Sequence, residues 1–113
     1  MALKKNVVRT LHDLSFNDAN KKVIGAEKDA IPKLIELSDS SDPDVALDAV
    51  KILLNLAKID ANKQTIAAEK DFLKILDAMI IVRQMNKEEG REVFSQLKML
   101  EVLLPLKVLL VTH

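Results

Sequence analysis

The chain repeats itself once, and the period constrains what it can fold into. Residues 11–21 read LHDLSFNDANK and residues 53–63 read LLNLAKIDANK, an offset of 42. The match extends well beyond this window. Val8, Leu11, Leu14, Asp18, Ala19, Asn20, Lys21, Ile24, Ala26, Glu27, Lys28, Asp29 and Leu34 all recur as the same residue at the shifted position, 13 identities in the 28 pairs starting from residues 7–34. A period near 42 is that of helical units stacked side by side, none of which can bury its apolar face alone. Proteins of that build usually work by binding other proteins.

Composition agrees with an all-α fold. Apolar residues make up 49% of the 113, so a single domain can enclose a real core. Only 2 Gly and 3 Pro interrupt the chain, leaving few strand or hairpin signals. Lys plus Arg and Asp plus Glu stand at 17 each, which gives no electrostatic footprint for nucleic acid. Trp and Tyr are absent, so there are no stacking platforms for single strands. The lack of cysteine excludes a disulfide framework and fits a reducing compartment. The most apolar run, residues 103–111, holds Pro105 and Lys107 and falls far short of the ~20 residues that span a bilayer. The expected location is the cytoplasm, with the nucleus also compatible.

Local signals place the helices. Leu3, Val7, Leu11 and Leu14, spaced by four and three, predict an amphipathic helix over 3–16. Asn17-Asp18-Ala19-Asn20 is a capped turn before a short helix over 21–28, with Val23 and Ile24 as its apolar contacts. Pro32 fits the first turn of a third helix that buries Ile31, Leu34, Ile35 and Leu37. The loop SDSSDP, 38–43, leads to a longer helix opened by Ser41-Asp42-Pro43-Asp44. Its acids suit helix capping better than calcium, because the loop lacks the glycine and terminal Glu of an EF-hand. Asn62 is expected to cap the second copy of the short helix, and 72–82 repeats the helix after it. Residues 83–90, RQMNKEEG, read as a polar linker. A further helix over 91–104 aligns with the 45–57 helix only at an offset of about 47, and Pro105 is expected to stop it.

This order of helices resembles the armadillo repeat. The likeness is carried by VKILLNLAKIDANKQTI (50–66) and NKKVIGAEKDAIPKLIELSDSSDPDVALDAV (20–50). They are similar to the family pattern of a helix ending Leu-x-Asn-Leu-Ala, then Asn-x-x-x-Ile, then Ala-Ile-Pro-x-Leu. The short extra helix and the Ala-Ile-Pro favour armadillo over HEAT repeats. The cover is roughly residues 3–82, weaker to 104. The resemblance implies a right-handed α-solenoid of three-helix units, two to three in number, within one domain over 1–113. Its parts are the last helix of a partial unit (3–16), a full unit (20–57), a second, diverged unit (62–104) and an apolar tail (105–113). The family's usual Gly before Ala-Ile-Pro is here Asp29, and Asp71 in the second copy. The turn must therefore differ, for instance by a longer short helix.

The resemblance also implies a site. In armadillo arrays the long helices line a groove that holds an extended peptide, whose backbone is bonded by an Asn amide from each unit. Here that position is Asn55, with Asp13 at the 42 offset and Val102 at the longer one. One turn earlier, where importin-type members carry Trp, stand Arg9, Lys51 and Lys98. Such a row disfavours lysine-rich signals and suits an acidic or mixed peptide; the plainer reading is solvated residues on each helix's polar side. No cofactor or metal site is expected. His12 and His113 do not converge, and no acid, base and nucleophile form a set. The expected function is a non-catalytic protein-binding module or scaffold using that groove. The alternative is an assembly subunit that associates, with itself or a partner, through the array's apolar ends.

Overall fold

The structure is a computed structural model that describes the backbone of residues 2–69, 71–88 and 94–112, and the side chains of 5–69, 71–85 and 97–112. Among the described residues every regular element is a helix. They are α1 (Ala2–Leu14), α2 (Asp18–Ala26), α3 (Ala30–Leu37), α4 (Pro43–Leu56), α5 (Asp60–Ala68), α6 (Phe72–Glu88) and α7 (Phe94–Val111). None is long and apolar enough to cross a membrane.

The caps follow from short-range chemistry. Asn17 accepts from the Asn20 amide at the start of α2. Asp42 accepts from the amides of Asp44 and Val45, with Pro43 in the first turn of α4. The predicted capping role of the acids after α3 is therefore met by Asp42. The α5 start differs from expectation: its N-cap is Ile59, without a side-chain bond, and Asn62 lies inside the helix.

Helices α2–α3–α4 and α5–α6–α7 form two units with the same internal contacts. In each, the first helix touches the second and third, and the second packs along the third. The long helices also pack on one another, α4 on both α1 and α7. The core is continuous through both units and includes Ile31, Leu34, Val50, Ile52, Leu53, Leu56, Ile66, Phe72, Leu76, Leu103 and Leu106. The two short helices end alike: Glu27 and Glu69 both turn extended, and their amides bond the carbonyls of Ile24 and Ile66. A lengthened short helix is thus not how the missing glycine is accommodated. Asp71 itself takes the left-handed conformation, at φ 61°, one of the few side chains that tolerates it. Asp29, its copy, stays at φ −109°.

Three further expectations are corrected. Residues 83–88 are not a linker, because α6 runs on to Glu88, and the Arg83 guanidinium bonds back to the Met79 carbonyl one turn earlier (3.1 Å). Residues 89–93 lie outside the described residues. Pro105 does not stop α7. An interior proline costs about 3 kcal/mol, but it sits on the exposed side, and continuing the helix buries Leu106 and Leu110 beside Leu103. The apolar tail is therefore the last turns of α7. Among the described side chains of α1 only Val8 is buried, with Ser15 buried just after the helix; Leu11 is half-buried, while Val7 and Leu14 lie open.

The two units meet closely at Gly25. The Asn62 amide of α5 reaches across α2 to donate to the Lys21 carbonyl (2.9 Å), and a Cβ at Gly25 would overlap that amide. Alanine in place of Gly25 would gain about 1 kcal/mol of helix propensity, yet the overlap should lower stability by about 1–3 kcal/mol. In an Asn62→Ala background the same change should stabilise. Urea unfolding of the four proteins checks this, and equal effects in both backgrounds would refute the contact.

Candidate functional site

Two surfaces arise from the way the long helices stack. The first is the seam of α1 and α4. Lys5 Nζ donates to Asp44 Oδ2 at 2.7 Å, Arg9 Nε faces Asp48 Oδ2 at 3.8 Å, and Asn55 Nδ2 donates to Ser15 Oγ at 2.9 Å. The partners are 39, 39 and 40 residues apart, so α1 and α4 run parallel in a fixed register. The Ser15 hydroxyl itself donates to the His12 carbonyl at 2.7 Å, and Lys58 Nζ donates to Asn55 Oδ1 at 3.5 Å. Asp48 is buried, and its Oδ2 has no hydrogen bond, leaving Arg9 as its charge partner.

This seam takes in two of the residues expected to face a peptide. Asn55 is buried rather than presented, because its amide satisfies Ser15 inside the fold. Arg9 is exposed, but its charge is answered by Asp48. Asp13 is exposed on α1, Lys51 is half-buried on α4, and Lys98 is exposed on α7. Val102, placed at the Asn position by the longer offset, is buried. The basic row is thus interleaved with the acids of α4. The hydrogen bond and charge of Lys5 hold the Asp44 carboxyl below its ordinary 3.8, with smaller contributions from Arg9 and Lys98. His12 is half-buried with its ring 5.1 Å from Phe16, and His113 lies outside the described residues.

The second surface is an apolar cleft of about 640 Å³ between α1, α2 and α3. Val7, Val8 and Leu11 form one wall, Val23 and Ile24 a second, and Leu34 and Leu37 a third, with Glu27 and Lys33 also lining it. The repeat explains why it is open. The copies of Val7, Leu11 and Leu14 on α4 are Ala49, Leu53 and Leu56, all fully buried at 0% exposure. Val7 and Leu14 themselves are 52% and 47% exposed. Helix α4 has α3 packed along it and α7 has α6, whereas among the described residues no helix packs along α1 in that way. The cleft lies beside α1.

Sequence reasoning marked this end as apolar but did not find the cleft. Val23 was expected to be a core contact and is 67% exposed. Its copy, Thr65, is the one local signal that the position is not a core position in both units. Compared with known protein families, curated proteins and solved structures, the chain matches none.

Two outcomes follow from the seam. Asn55→Ala should lower stability by about 1–3 kcal/mol by leaving Ser15 Oγ without its donor. A double-mutant cycle with Ser15→Ala should show coupling in urea unfolding, and additivity would refute the bond. The Lys5–Asp44 pair should act on the acid side. Because the folded Asp44 carboxyl titrates below 3.8, the pair's contribution is complete above that value and is lost as pH falls through the lower, folded one. Lys5→Ala should flatten the loss of stability as pH falls below 3.8, measured by thermal melts over acidic pH.

Proposed function

We propose that the chain is a non-catalytic protein-interaction module of the armadillo type, a short α-solenoid that binds through its apolar cleft. The observation that carries this reading is the empty place along α1. Helix α3 packs along α4 and α6 along α7, whereas among the described residues the equivalent face of α1 is an open groove of aliphatic side chains. An aliphatic groove between helices accepts the apolar face of another helix, with anchors at i, i+3, i+4 and i+7. Open apolar surface that is contiguous rather than scattered marks a contact site. The assignment to armadillo rests on the motifs of 20–66 and on the recurrence of one contact pattern in two units whose first two helices are offset by 42.

The row of Arg9, Asp13, Lys51, Asn55 and Lys98 has less support as a peptide groove. Its amide is spent on Ser15 and its first cation on Asp48. A cytoplasmic setting and the absence of catalysis belong to the same proposal and rest on the composition.

The test is a titration with 1-anilinonaphthalene-8-sulfonate, an apolar probe, followed by amide chemical shifts at low protein concentration. The expected shifts cluster at Val7, Leu11, Val23 and Ile24, and Val23→Glu removes them. Binding elsewhere, or binding indifferent to Val23→Glu, would discard the cleft.

A further inference from the structure

We draw no further inference here: the strongest candidate, the exposed aliphatic stripe of Ile75, Ala78, Val82 and Met85 along the outer side of α6, is an apolar face with nothing in the structure to show what covers it.

Discussion

Everything in this fold is built on the burial of α4. Val45, Ala46, Ala49, Val50, Ile52, Leu53 and Leu56 are nearly or fully excluded from solvent, so the helix is enclosed on most of its circumference. That enclosure takes several neighbours, and α1, α3 and α7 supply most of it. The alanines at 46 and 49 keep the surface low enough for helices to approach closely. The polar residues on α4 are used where they cannot reach bulk water. Asn55 bonds to Ser15, and Asp48 is met by Arg9. These contacts add little to stability beside the apolar burial, since buried polar groups mostly recover what desolvation costs. What they fix is register, holding α1 parallel to α4 at a constant offset.

The repeat gives nearly the same residues two different environments, and this makes the first copy informative. Leu53 and Leu56 are core, while Leu11 and Leu14, the same amino acids at the equivalent turns of α1, are half-buried and open. No property of leucine separates them. The difference is the set of helices that surrounds α4 and is incomplete around α1. Asn62 and Asn20 are related in the same way. Asn62 reaches back across α2 to the Lys21 carbonyl, whereas the backbone amide of Asn20 serves the Asn17 cap. Around α1, where fewer helices pack among the described residues, aliphatic side chains are left at the surface, and they line the cleft.

Much of the fold was legible from periodicity and caps. The helix over 3–16, the Asn17 and Asp42 caps, Pro32 and Pro43 in first turns, and the core roles of Ile31, Leu34, Val50 and Leu53 all follow from spacing and short-range hydrogen bonding. The misses fell where long-range packing outweighs local preference. Pro105 was read as a stop because its ring and missing amide disfavour helix, yet burial of Leu106 and Leu110 carries α7 past it. The polar run at 83–88 was read as linker because polarity alone does not distinguish a solvated helix end from a loop. The motif gives the position of Asn55 on its helix but not the neighbour against it, and that neighbour is Ser15.

The sequence by itself determined that this protein is helical, that its units are offset by 42 residues, and where most of the helices begin. These are matters of period and capping, which act within a turn or two of the chain. Only the tertiary structure decided which of two identical leucines is core and which is surface, that the polar row folds its amide and one cation into a seam, and that one end of the stack is a cleft. Those outcomes depend on which helices become neighbours across 39 to 41 residues of chain, and burial is a property of the neighbours rather than of the residue.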